Sequence, residues 1–540
     1  MAILQGKGVS GGIAVGRLEF FVRSYFAAER ETIKDADAEL IRFETARKTA
    51  EEQLDQLSAM TVGRLGKENA ELFNVHKMML KDEDFLDSVT GIISEEKLCA
   101  EYAVVETGKR FSNDFAEMDD DYMKERAADV LDVAGRVLSI LNGGQQNVSQ
   151  NREPVILASD DFSPSETAQF DRSTVLGLAT RQGSGNSHTA IFARTMGIPA
   201  VIGLGASLAP DLAHTPAALD GDTGQLYTDP KPAVLSELKK KQAKLQVEIQ
   251  SLERFRGKPT ETKSGRAVRL FANIGSVADA DAAVLGDAEG IGLFRSEFLY
   301  LERGDYPDEQ IQYEAYRRTL EKMKGKQVII RTLDIGADKQ AAYFKLPAEE
   351  NPALGFRAIR ICLARPEVFK TQLRAIYRAS LYGNAAIMFP LINSVHDIRR
   401  AKKIVEEVRR DLDAEQTAFD RSVPIGIMIE TPAAAIISDL LAREVDFFSI
   451  GTNDLTQYTL AVDRQNESIQ GYCDIHHEAI LRLIRMTVEN ARKAGIPAGI
   501  CGSLAADPAL TQTFVEMGVD ELSVVPSAVL RIRRTIAEME

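Results

Sequence analysis

Residues with the capacity for chemistry gather in two places. The first is Gly183-Ser184-Gly185-Asn186-Ser187-His188-Thr189-Ala190-Ile191, continuing through Ala193 and Arg194 to Ile198-Pro199-Ala200-Val201-Ile202-Gly203. Its small and polar residues predict a turn, with a helix starting at or just after His188. Asn186 or Ser187 can cap that helix by accepting a backbone N–H bond. His188 then occupies a positive helix end, where free N–H groups and the macrodipole favour an anion. A histidine that carries a phosphoryl group suits this position. A capping loop with an incidental histidine suits it equally, and the stretch alone does not separate the two.

The second place lies after residue 265, where polar side chains follow short apolar runs: Arg295, Ser296 and Glu297; Arg331 and Asp334; Glu430; Asn453 and Asp454; Cys501. Arg295, Arg331 and Arg464, with Lys339, make a set that holds a small polyanion, because guanidinium forks match phosphate and carboxylate. Glu430 and Asp454 offer two carboxylates to a hard cation. Magnesium takes only one or two protein carboxylates and completes its shell with substrate oxygens and water. A phosphorylated carboxylic acid chelating magnesium fits the inventory. Cys501 can serve as proton donor or nucleophile, although a lone cysteine is more often a buried inert thiol. Each residue has an everyday alternative as an ion pair or cap; their shared placement argues for a site.

That placement depends on the elements carrying them. Eight strand candidates (268–274, 290–295, 327–331, 386–390, 425–429, 446–450, 498–501 and 521–525) alternate with helical patterns at 308–324, 355–380, 395–414, 433–443, 477–494 and 508–517. This rhythm predicts a (β/α)₈ barrel, whose active sites are built at the C-terminal rim. Upstream, residues 3–22 read as one or two short strands. From about Glu29, Leu40, Phe43, Ala46, Ala50, Leu54 and Leu57 recur at helical spacing, and four or five helices follow, to Asn142-Gly143-Gly144. Short apolar runs return at 154–158, 175–178, 199–202 and 225–227. The expected organisation is an α/β domain of residues 1–24 and 147–228 with an inserted helical domain, 25–146. A linker helix in 229–262 follows, with Leu235, Leu238, Leu245, Ile249 and Leu252 on one side, and then the barrel, 263–540.

The chain of 540 residues carries a net charge of −15. That balance disfavours nucleic acid or an anionic membrane as the main partner. The four cysteines, Cys99, Cys362, Cys473 and Cys501, have the spacing of neither a disulfide framework nor a zinc site. No apolar run approaches membrane-spanning length, and the first residues lack a signal-peptide layout. The expected location is the cytoplasm.

The chain resembles the Enzyme I family of bacterial phosphoenolpyruvate-dependent sugar phosphotransferase systems along essentially its whole length. The motifs are Ser187-His188-Thr189-Ala190-Ile191 with Ile198-Pro199-Ala200; Arg331-Thr332-Leu333-Asp334-Ile335-Gly336-Ala337-Asp338-Lys339; Glu349-Glu350-Asn351-Pro352 with Arg357-Ala358-Ile359-Arg360; Ile429-Glu430-Thr431-Pro432-Ala433-Ala434; and Phe447 to Tyr458, continuing to Asp463-Arg464. The resemblance implies a swivelling phosphohistidine α/β domain, an inserted helical bundle that docks the phosphocarrier protein HPr, and a (β/α)₈ barrel that binds phosphoenolpyruvate. It implies that His188 is phosphorylated. It further implies that Arg295, Arg331, Lys339, Arg357, Asn453, Asp454 and Arg464 bind substrate, that Glu430 and Asp454 hold Mg²⁺, and that Cys501 protonates the enolate of pyruvate. A homodimer through the barrel is implied too.

The sequence departs from the family pattern at Gly185-Asn186, where a basic residue and threonine are usual, and at Ser296, Ala337, His477 and Ser503, where threonine, glycine, proline and glutamate are usual. Two rival readings follow. One is a regulatory paralogue that binds HPr or phosphoenolpyruvate with little turnover. The other is an enzyme like phosphoenolpyruvate synthase or pyruvate phosphate dikinase, which needs a large ATP-binding domain where this chain has its helical insert.

Overall fold

Short apolar and glycine-rich stretches open this chain and return only after residue 153, so one sheet must gather both. The computed structural model does so. It describes every residue except 22–27, 66, 118–120, 144–152, 168–169, 171–172, 184–186, 302–303, 337–340, 348 and 465. The chain divides into two units, residues 1–249 and 250–540.

The first unit holds strands β1 (Ala2–Gln5), β2 (Lys7–Ser10), β3 (Ile13–Phe20), β4 (Val155–Ser159), β5 (Val175–Thr180), β6 (Ala200–Ile202), β7 (Pro216–Asp220) and β8 (Gln225–Thr228). They form one sheet in the order β1-β8-β7-β3-β4-β5-β6-β2. The run from β3 to β6 is parallel, and the flanking pairs are antiparallel. Residues 3–22 thus give three strands where one or two were expected. The segment Pro216–Asp220 is a further strand that the apolar runs did not announce. Parallel neighbours need a crossover, and between β3 and β4 that crossover contains the helices Ala36–Leu65, Lys67–Met79, Glu83–Ser94, Ala100–Glu117 and Asp121–Leu141. Phe43, Ala46, Ala50 and Leu54, three or four residues apart, meet Phe73, Phe85, Val89 and Val137 in a core separate from that of the sheet.

The helix Pro232–Glu253 packs at first on the sheet of this unit. Leu238 joins Ile13 and Ala218 in a small apolar cluster, Lys241 pairs with Asp220 at 2.7 Å, and Gln242 donates to the Ile13 carbonyl at 2.9 Å. Ile249, expected on the same side, is 59% exposed.

The second unit holds β9 (Arg269–Ile274), β10 (Ile291–Arg295), β11 (Val328–Arg331), β12 (Ala385–Phe389), β13 (Ile425–Ile429), β14 (Phe448–Ile450), β15 (Ala498–Ile500) and β16 (Glu521–Val524). All pair in parallel, and β16 pairs back to β9, closing a barrel. Alternation explains the continuous apolar runs. In β12, Ala385, Ile387 and Phe389 face the surrounding helices, whereas Ala386 and Met388 join Leu293, Ile329, Met428, Phe447 and Cys501 in a second cluster. The (β/α)₈ expectation is met. Helices cover the outside by the same logic: Val395–Ala414 buries Ile398, Ala401, Ile404, Val405, Val408 and Leu412, and Ser394 caps it by accepting from the Asp397 N–H. The single helix expected over 355–380 is instead a 3₁₀ turn and two helices, Ile359–Ala364 and Pro366–Ala379. Pro366 forces Arg365 out of helical geometry (φ −124°, ψ 71°). The helix expected over 433–443 divides likewise, at Ile437, into Pro432–Ile436 and Ser438–Leu441.

Candidate functional site

Parallel strands put every C-terminal end on one rim, so residues far apart in sequence converge there. Arg295 ends β10 and Arg331 ends β11. Glu430 follows β13, and Cys501 follows β15. Asn453 and Asp454 lie in the helix Thr452–Leu460, which starts directly after β14.

Arg331 is 5% exposed and Asp334 1%. The guanidinium of Arg331 pairs with Glu297 and reaches Asp334 at 3.2 Å. Burial opposes its charge, but Glu297, Asp334 and Glu430 more than compensate and raise its pKa. Behind it, the Ser296 hydroxyl donates to the Arg331 carbonyl at 2.8 Å. Gln372 donates to Ser296 and to Tyr316, both at 3.0 Å, and accepts from the Leu333 N–H at 2.9 Å. These groups are fully buried, and a satisfied buried network fixes its members in place. The serine that stands where threonine is usual keeps the hydroxyl this network uses.

Arg357, 2% exposed, donates to Asp334 at 2.9 Å, to Tyr458 at 3.0 Å and to Asp454 at 3.5 Å. Arg464 approaches Asp454 from the other side at 3.9 Å. Asn453 accepts from the backbone N–H and the hydroxyl of Ser503, at 3.0 and 2.6 Å. Its carbonyl is occupied, which turns the amide protons the other way. Arg295 differs from the other arginines: among the described residues it has no hydrogen-bond or ion-pair partner. It reaches solvent at the mouth, yet the surrounding protein, followed by the like charge of Arg331, lowers its pKa. An unpaired guanidinium beside a second one is a seat for an anion.

Glu430 is fully buried. One carboxylate oxygen accepts from the Leu391 N–H at 2.6 Å, and the other has no hydrogen-bond partner among the described residues. Burial, then Asp454 and Asp334, push its pKa up to about 8. Crowded carboxylates with a buried unpartnered oxygen are what a cation would relieve, so Glu430 and Asp454 fit a magnesium ion that completes its shell with substrate and water. No cluster of three or more His, Cys, Asp or Glu residues is arranged for a metal among the described residues. Cys501, 2% exposed, lies within electrostatic reach of Arg331, Glu430 and Arg295, and burial pushes its thiol up to about 11. At neutral pH it keeps its proton, which suits a donor rather than a nucleophile.

His188 is the first residue of the helix His188–Met196, in the first unit; Ser187 is the cap, accepting from the Ala190 N–H at 3.3 Å, and Gly197 ends the helix in the left-handed region (φ 62°). Thr189, fully buried, donates to Asp161 at 2.6 Å. Lys339, Ala337 and the loop with Gly185 and Asn186 lie outside the described residues.

Three family descriptions match in chain order: PEP-utilising enzyme, N-terminal, over residues 5–126; mobile domain, over 151–224; and PEP-binding domain, over 250–540. A phosphoenolpyruvate-protein phosphotransferase of Bacillus sp. (strain S) is 41% identical over 537 residues, 99% of this chain and 93% of that one. That of Bacillus subtilis (strain 168) is 40% identical over 540 residues, 100% and 95% of the two chains. The chain belongs to the phosphoenolpyruvate-protein phosphotransferase family. A relative as distant in source as Haemophilus influenzae is 40% identical over 539 residues, covering 99% of this chain and 93% of its own.

Membership in the phosphoenolpyruvate-protein phosphotransferase family makes the chain an enzyme that uses phosphoenolpyruvate, and the PEP-binding match spans the whole barrel unit. No helix among the described residues is long and apolar enough to cross a membrane. Around the rim, the partners that sequence reading did not assign are Gln372, Tyr458 and Asn273. Gln372, a polar residue on the buried face of an amphipathic helix, and Asn273, inside an apolar strand, each carry a signal of misplaced polarity.

Proposed function

We propose that this chain moves the phosphoryl group of phosphoenolpyruvate onto His188 and then onto the phosphocarrier protein HPr, releasing pyruvate, as the first step of sugar uptake. The observation that supports this most is Arg295 beside Arg331 at the rim, without a partner among the described residues and within electrostatic reach of Cys501. In this reading Arg295, Arg331 and Arg464, joined by Lys339, hold the phosphate and carboxylate. Arg357 adds charge from behind Asp454, and the Asn453 amide and the backbone around Asp454 orient the substrate. Mg²⁺ on Glu430 and Asp454 would neutralise charge on the transferring group. Fixed cations stabilise the spread charge of an in-line transfer without reorganising. Loss of the phosphoryl group leaves an enolate, and Cys501 gives its proton to C3.

Each part of the chain then has its own role. Residues 1–24 and 147–228 carry the phosphohistidine, 25–146 dock HPr, 229–262 link, and 263–540 bind phosphoenolpyruvate and form a homodimer, in the cytoplasm. The test is incubation with phosphate-labelled phosphoenolpyruvate, Mg²⁺ and HPr beside His188→Ala. Acid-labile label reaching HPr from the parent alone supports the reading; label that survives the substitution refutes it.

A further inference from the structure

Asn273 stands inside β9 between Ala272 and Ile274, both buried, where asparagine is disfavoured. It adds no apolar area to the barrel. Its amide reaches instead across β16 to the end of β15. Nδ2 donates to the carbonyl of Cys501 and to that of Ser523, both at 3.0 Å. Oδ1 accepts from the Ser523 hydroxyl at 2.7 Å. The two carbonyls demand the N–H side and the hydroxyl takes the oxygen side, so the amide has one orientation. The N–H of Cys501 donates in turn to the Ile450 carbonyl at 3.1 Å. Both peptide groups of Cys501 are therefore held, one by β14 and one by β9, and the thiol itself donates to the Ile450 carbonyl at 3.7 Å, so rotation away from that carbonyl is the main freedom left to it. Replacing Asn273 by an apolar residue leaves a carbonyl beside the thiol without its donor, which costs more than the bond itself contributed.

We propose that Asn273, locked by Ser523, is a positioning residue for proton transfer from Cys501. The proposal rests on Cys501 being the donor. In that step the S–H bond breaks and a C3–H bond forms on the enolate, giving pyruvate and a thiolate; the thiolate takes a proton from water once pyruvate has left. Holding the Cys501 backbone confines the thiol to one face of the enolate. A role limited to closing the barrel predicts lower stability but no change in the face that is protonated.

The experiment turns over stereospecifically tritiated phosphoenolpyruvate in heavy water, with the full-length enzyme, Mg²⁺ and HPr, and reads the handedness of the chiral methyl group of pyruvate. Asn273→Ala is expected to scramble that handedness, to raise the solvent isotope effect on kcat, and to lower kcat by up to about 100-fold, the effect of a misplacement near 1 Å, with KM unchanged. Ser523→Ala, a gentler change that only frees the amide, is expected to move the same readouts less far. Full handedness with an unchanged isotope effect in both variants overturns the proposal. Cys501→Ala separates it from the reading beneath: if that variant alone halts pyruvate release or scrambles the methyl group, the donor stands and the positioning role falls. If Cys501→Ala also keeps full handedness and rate, both fall.

Discussion

Gly502, directly after Cys501, is the tightest backbone approach at the rim. A Cβ added there meets the side chain of Thr452 and comes within 2.5 Å of its backbone nitrogen, at the start of the helix that carries Asn453 and Asp454. Thr452 can rotate its hydroxyl away, but its backbone cannot yield without moving that helix. Ordinary contact begins near 3.4 Å, so in Gly502→Ala the two segments must part by about 0.9 Å. Overpacking of this kind costs about 1–3 kcal/mol of stability. A displacement near 1 Å between Cys501 and the substrate-binding helix costs about 100-fold in rate, or roughly 2.7 kcal/mol of barrier. Thermal melting and kcat/KM for phosphoenolpyruvate measure the two effects separately. Gly471→Ala, where a Cβ meets nothing within 4 Å, is the control and should stay within about 0.5 kcal/mol of the parent. A Gly502→Ala enzyme with parental kcat/KM would refute the claim that this gap sets the site geometry.

Further outcomes follow from the same residues. Glu430 has a folded pKa of about 8, above its ordinary 4.5, so the stability it contributes is present at or below that ordinary value and is lost as pH rises through about 8. Without divalent cation, Tm should therefore decline across this window, Glu430→Gln should flatten the decline, and Mg²⁺ should raise Tm most at its alkaline end. Ser296→Ala removes the bond to the Arg331 carbonyl and should cost about 1–3 kcal/mol; a double-mutant cycle with Gln372→Leu should show coupling of about 0.5 kcal/mol or more, and additivity would dissolve the network. Gly91, within the helix Glu83–Ser94, has no atom within 4 Å of an added Cβ, so Gly91→Ala should stabilise the enzyme by about 0.5–1 kcal/mol in denaturant unfolding.

The barrel was legible because burial on both faces leaves long apolar runs that no turn or surface helix imitates, and strand ends then located Arg331, Glu430 and Cys501. Pro216–Asp220 escaped because Pro-Ala-Ala-Leu-Asp has few bulky side chains; antiparallel pairing with β3 and β8 makes it a strand. Pro366 did announce the break in the 355–380 helix, and reading amphipathic spacing across it was the error. The contacts of Asn273 with residues 228 and 250 positions away arise only when the barrel closes, and no local pattern encodes them. The carboxylates of Glu297 and Asp334 could be placed at strand ends but not paired, since pairing depends on side-chain direction across strands.

The pairing of β9 with β16 has a consequence for how the chain is made. The first strand of the barrel leaves the ribosome some 250 residues before the strand that completes its hydrogen bonds, and β3 likewise waits through five helices for β4. The helical insert, whose contacts are the most local, is free to fold first, then the sheet around it once β8 emerges, and the barrel only once β16 emerges. Until then the apolar edges of β9 and β10 are exposed, so the length of the open barrel, rather than its final stability, sets how long the nascent enzyme depends on protection from aggregation.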